Sequence, residues 1–141
     1  MRGYVAIGLF CPSKDVNIGG TMRAAYCYGA GLVVIQGVYK RYSTDTVAAH
    51  RHIPTVLCTD ILTNIPYDCV PVAVEIVEGA RPLPSYTHPQ RAFYIFGPEG
   101  GSLPERILKG CRDVVSIPTR ACMNLAATVN VVLYDRAAKG Q

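Results

Sequence analysis

The sequence predicts an α/β domain on a parallel sheet, and three observations carry that expectation. Apolar, strand-like runs alternate with helical segments along the whole chain. Half of the residues are hydrophobic, which supplies core for a sheet covered on both faces. At 141 residues the chain has the size of one domain, residues 1–141, that buries roughly 70% of its unfolded surface.

The elements follow in order. Tyr4–Phe10 reads as the first strand, followed by a loop through Cys11, Pro12, Ser13, Lys14 and Asp15. Asn17 is expected to cap a helix over residues 18–29, which Gly29, Ala30 and Gly31 stop. Leu32–Gln36 is a second strand; a helix is expected over residues 46–52, a short strand at Thr55–Cys58 and a helical turn after Asp60. Residues 70–76 form a strand with Pro71 at its start, and 79–84 a loop. Residues 92–96 are a buried strand, 104–109 a helix, 114–117 the last strand and 124–139 the closing helix. Strands separated by helices pair in parallel, and the loops at their carboxyl ends are where a site belongs. Pattern alone gives an open, doubly wound sheet.

Composition narrows the partners and the compartment. No apolar run reaches the roughly 20 residues that span a bilayer. The start, MRGYVAIGLFCP, is too short and strand-like for a secretion signal. Cysteines 11, 27, 58, 69, 111 and 122 show neither a CxxC pair nor zinc spacing, which suits buried thiols in a reducing, cytoplasmic setting. His50 and His52 lack an evident third ligand, so no metal is expected. The net charge of +4 permits an acidic partner such as RNA without requiring one.

Three loops look chemical. In NIGGTMR, residues 17–23, a cap at Asn17 would leave Gly19 and Gly20 in the first helical turn, where bare N–H groups attract anions, with Arg23 nearby. The blander alternative is a capped helix with a surface arginine. The spacing fits neither a Walker loop nor a dinucleotide fingerprint. In GPEGGSLP, residues 97–104, three glycines and two prolines surround the single carboxylate of Glu99. That carboxylate needs an arginine or backbone N–H groups as partner, or it caps the helix that follows. In IPTRACMNLAA, residues 117–127, Asn124 enters a helix apolar nearly all round, which is therefore buried or interfacial.

Taken in order, NIGGTMRAAYCYGAG, FGPEGGSLP and IPTRACMNLAATVNVVLYD resemble the three signature motifs of the SpoU/TrmH family of RNA 2′-O-ribose methyltransferases, within the SPOUT superfamily. The resemblance covers essentially the whole chain, which is similar to the minimal, single-domain tRNA-modifying members. It implies a SPOUT methyltransferase fold whose C-terminal segment is threaded into a deep trefoil knot, a rare exception among folds. It implies S-adenosylmethionine as cofactor, RNA (tRNA before rRNA) as substrate, and a homodimer. By match to the motifs, Arg23, Asn17, Glu99 and Asn124 are the catalytic set, with Glu99 and Asn17 orienting the guanidinium. Cofactor contacts are expected from Val74, Glu75, Gly97, Ile117, Cys122, Met123 and Leu125.

The chain departs from the family at Cys122 and Ala126, where many members have serine, and in a shorter run from Ile117 to Asn124. Lys14, Lys40, Arg41, Arg51, Arg81 and Arg120 would extend an RNA surface, with ordinary solvated charge as the alternative for each. Two other classes compete: a knotted RNA-binding or assembly module without turnover, which the intact catalytic set disfavours, and a generic nucleotide-binding protein, which the missing phosphate loops disfavour.

Overall fold

The structure, a computed structural model, describes residues 3–37 and 49–141. Seven strands form one sheet: β1 (Tyr4–Phe10), β2 (Leu32–Gln36), β3 (Thr55–Cys58), β4 (Val70–Val74), β5 (Arg81–Pro82), β6 (Arg91–Phe96) and β7 (Asp113–Ser116). Their order is β3-β2-β1-β6-β4-β7-β5, and every pair is parallel. β7 thus lies between β4 and β5, which are consecutive in the chain, so the β4–β5 connection crosses the strand that arrives later.

The alternation of side chains along each strand separates two cores. On one face Ile7, Leu9, Tyr94 and Phe96 pack with Ile18 and Met22 of α1 (Asp15–Cys27) and with Val129 and Leu133 of α3 (Leu125–Ala138). On the other, Ala6, Phe93 and Ile95 pack with Ile61, Leu103 and Ile107, the last from the short helix α2 (Glu105–Lys109). The two covered faces agree with the expectation from the sequence.

Four details differ from it. α1 begins at Asp15, with Lys14 as its N-cap, so Asn17 stands inside the first turn and is not the cap. Its side chain is buried and bonds to other segments, which leaves none of it for its own helix. Gly19 and Gly20 therefore lie beyond the first turn, and the expected bare anion site is absent. Gly20 instead lies against α3, where a Cβ would come within 2.7 Å of the Ala126 Cβ.

The strand expected to reach residue 76 ends at Val74, where the Ile76 N–H turns to the Glu75 carboxylate (2.9 Å). The expected loop at 79–84 holds the two-residue β5 and a 3-10 turn, Leu83–Ser85, too short for periodicity to reveal. Of the expected helix at 46–52, Ala49–Arg51 is a 3-10 turn, and residues 46–48 lie outside the described residues, as do Lys40 and Arg41.

Candidate active site

A cleft of about 670 Å³, counting the space open to solvent at its mouth, lies at the carboxyl ends of β4, β6 and β7. Val74, Glu75 and Ile76 form one wall as the chain leaves β4. Phe96, Gly97, Pro98, Glu99 and Gly101 form the second as it leaves β6, and Ile117, Thr119, Cys122 and Met123 the third after β7. Leu125 and Thr128 close it from the first turn of α3. All seven positions expected to touch a cofactor are therefore brought to one cavity. Gly97 is tightly packed at its wall, where a Cβ would meet Leu103 Cγ at 3.3 Å and the Leu103 backbone nitrogen at 3.4 Å.

One hydrogen-bond network ties these loops to the start of α1. Glu99 accepts from the backbone N–H groups of Ser13 (3.0 Å) and Lys14 (2.9 Å) and from Asn17 Nδ2 (2.9 Å). Lys14 is a cap residue with no side-chain cap of its own, so a carboxylate 85 residues away meets the positive end of α1. Glu99 does not cap α2, the alternative that the sequence left open.

An ionised carboxylate only accepts hydrogen bonds, and this fixes each amide in turn. Asn17 must present its NH₂ to Glu99, so its Oδ1 accepts from Asn124 Nδ2 (2.7 Å). Asn124 is left with Oδ1, which accepts the Ala127 N–H (3.1 Å) and caps α3. Burial pushes the Glu99 carboxyl up, but the bonds from Asn17, Ser13 and Lys14 together outweigh it and hold the group below the usual carboxylate range.

Arg23 stands apart. It is exposed on α1, six residues beyond Asn17, or about 9 Å along the helix axis. It does not line the cleft, and the bonds of Glu99 and Asn17 go to the start of α1 and to Asn124. The structure thus unites Asn17, Glu99 and Asn124, and Arg23 is not among the residues that line the cleft. The sequence reading missed Ser13 and Lys14, which act through backbone N–H groups that no side-chain motif reports. It also missed Ile76, Thr119 and Thr128; Thr128 was within reach, one helical turn after Asn124. Thr119 Oγ1 donates to the Ala121 carbonyl (2.9 Å) and shapes the third wall.

Among the described residues no group of three or more acidic, histidine or cysteine side chains is placed to hold a metal. His52 stacks against Tyr26 with ring centroids 5.1 Å apart. All six cysteines are free thiols. No helix among the described residues is long and apolar enough to cross a membrane.

The profile of the SpoU rRNA methylase family matches residues 4–134. No curated protein matches the sequence. Among solved structures, the SpoU methyltransferase AviRb from Streptomyces viridochromogenes superposes with a TM-score of 0.85 at 19% identity, covering 100% of this chain and 62% of AviRb. The chain therefore spans less than two thirds of that relative. AviRb has also been solved in complex with AdoMet (TM-score 0.83, 19% identity, covering 99% of this chain and 62% of that one). A structure described as giving insight into the 2-OH methylation of C/U34 on tRNA matches with a TM-score of 0.81 at 20% identity, covering 99% of this chain and 92% of that one.

Proposed function

Since this chain belongs to the SpoU rRNA methylase family, we propose that it is an S-adenosylmethionine-dependent RNA methyltransferase acting on a ribose 2′-hydroxyl of structured RNA, tRNA in first place. The observation that carries this reading is the three-walled cleft, two of whose walls Glu99, Asn17 and Asn124 tie to each other and to the start of α1. The choice of tRNA is supported by the structure described for tRNA 2-OH methylation, matched over most of both chains.

The cofactor fits the residues present. The walls of the cleft are largely apolar, and Gly97 and Gly101 leave main chain bare at the surface. Val74, Glu75, Gly97, Ile117, Cys122, Met123 and Leu125 would hold it. When bound, S-adenosylmethionine supplies a sulfonium-activated methyl group. The chain's own part is then to place a ribose oxygen in line and to stabilise the charge that develops on it. Arg23 is the proposed group for that charge, from the RNA side, where it also grips the phosphate next to the target ribose. A guanidinium keeps its proton in a protein, which makes Arg23 an electrostatic partner and not a base.

Two further features belong to this proposal. The single domain is threaded into a C-terminal trefoil knot, which is supported by β7 lying between the consecutive β4 and β5. The protein pairs as a homodimer through α1 and α3, whose outer faces expose Val16, Tyr26, Val131 and Tyr134. Sedimentation as a stable, active monomer at micromolar concentration would contradict the pairing.

The test is transfer of labelled methyl from S-adenosylmethionine to tRNA and, separately, to rRNA, followed by alkaline hydrolysis. A 2′-O-methyl removes the internal nucleophile of alkaline cleavage, so the label is expected in resistant dinucleotides from tRNA. Label on free bases, or none on either RNA, would overturn the reading; label from rRNA alone would overturn the choice of tRNA.

A further inference from the structure

Glu75 has a place in the cleft that loop-holding alone does not exhaust. The residue directly follows β4, and its own N–H donates to the Val115 carbonyl (3.0 Å), so its backbone is fixed. One carboxylate oxygen accepts the N–H of Ile76 (2.9 Å), the other the N–H of Leu103 (2.8 Å). Leu103 is the exit of the glycine-rich loop and Gly97 its entrance. Oε2 lies 3.5 Å from where a Gly97 Cβ would stand. The carboxylate therefore bonds the exit of the loop 97–103 and lies against its entrance.

Two backbone donors do not saturate a carboxylate, which has about four acceptor sites. Glu75 lines the cleft together with the apolar Val74, Ile76, Ile117 and Leu125. Apolar side chains of this kind suit a flat ring, and the group next to the ring in a nucleoside is its ribose. A carboxylate with one open site on each oxygen matches two adjacent hydroxyl donors, as acidic side chains do for ribose in nucleotide-binding folds.

We propose that Glu75 reads the ribose diol of the nucleoside cofactor while it holds the loop 97–103 against it. This rests on the cofactor reading above and adds the group that is recognised. Neighbouring loop and ligand are then organised by one carboxylate. A ligand without the hydroxyls leaves Glu75 with unfilled acceptor sites in a half-buried wall.

The test compares binding of S-adenosylhomocysteine, 5′-methylthioadenosine and 2′,3′-dideoxy-5′-methylthioadenosine to the wild type, Glu75→Ala and Glu75→Gln, with thermal melting recorded for each. Removing the hydroxyls is expected to weaken binding to the wild type by roughly ten- to a hundredfold, as for hydrogen bonds to a charged group. Glu75→Ala should weaken the first two ligands by a similar factor and leave the dideoxy ligand nearly unchanged. Glu75→Gln keeps an acceptor for one backbone N–H and serves where the alanine variant does not fold. Equal losses for all three ligands would assign Glu75 to the loop alone and overturn the proposal. A loss for S-adenosylhomocysteine without one for 5′-methylthioadenosine would shift recognition to the amino-acid end and overturn it as well. A wild type that binds none of them would bring down the cofactor reading itself.

Discussion

The two ends of α3 are held by polar networks of opposite character. At its start, Asn124 links to Asn17 and through it to Glu99, beside an open cleft. At its far end, Asp135, Arg136 and Lys139 clamp the segment 83–94 in a largely buried cluster. The first network positions loops around a space; the second fills its space. One helix thus joins a network around an open cleft to a lock that is filled by its own side chains.

The lock is internally determined. Arg136 Nη1 donates to Tyr94 Oη (3.1 Å) and to the Pro89 carbonyl (2.6 Å), and Nη2 donates to the Gln90 carbonyl (2.7 Å). Since Tyr94 receives from arginine, its own hydrogen goes to His88 Nδ1 (2.6 Å). His88 must then carry its proton on Nε2 and donate to Asp135 (2.7 Å), which also meets Lys139 at 2.7 Å. Burial pushes the Tyr94 hydroxyl up to about 12.

The sharpest break between the ends is expected at the site. Arg23→Ala should cut turnover by roughly 10²–10³, the loss of one preorganised charge-stabilising donor, with cofactor affinity little changed. Steady-state transfer and calorimetry check both halves; unchanged turnover would remove Arg23 from the catalytic set. Next comes Glu99→Ala, which strips the acceptor from Ser13, Lys14 and Asn17. It should cost about 2–3 kcal/mol in urea unfolding and also weaken cofactor binding, since one wall of the cleft loses its tie.

At the far end the effects should separate. His88→Ala leaves the Tyr94 hydroxyl and Asp135 short of a partner and should cost about 1–3 kcal/mol. Transfer per folded molecule should stay near the wild-type value well below the melting temperature. The pH response should carry the same signature. Burial lowers the His88 pKa from 6.5 and outweighs the Asp135 hydrogen bond, which raises it; Lys139 and Arg136 lower it further. The unfolded chain then binds the proton more readily, so this contribution is complete above about pH 6.5 and is lost as pH falls below it. Urea midpoints measured down to pH 5 should fall in the wild type and flatten in His88→Ala. The smallest effect is expected at the seam between the helices. Gly20→Ala brings a methyl within 2.7 Å of the Ala126 Cβ. Overpacking, less the gain in helix propensity, should leave a melting loss worth about 1 kcal/mol.

The same contrast governs what the sequence revealed. Glu99 was legible because three glycines and two prolines around a single carboxylate are more than an ordinary connection requires, whereas Asn124 and the residues around Gly97 were legible through the resemblance of their motifs. Asn17 was legible as a site residue but misread as a cap: a local pattern cannot report that its amide is claimed by Glu99, 82 residues on. The lock was not legible at all. Asp135 and Lys139 look like an ordinary helical ion pair, and His88 like a loop residue, until the fold brings them together across 47 residues or more. The two-residue β5 escaped because pairing with β7, not its own pattern, makes it a strand.

Hydrogen exchange with and without S-adenosylhomocysteine tests the division of labour most directly. Ligand protection is expected in residues 13–17, 97–103 and 117–124, with unchanged exchange in 83–90 and 135–141. Protection confined to the 83–90 and 135–141 segments, or absent from all three site loops under saturating ligand, would contradict that division.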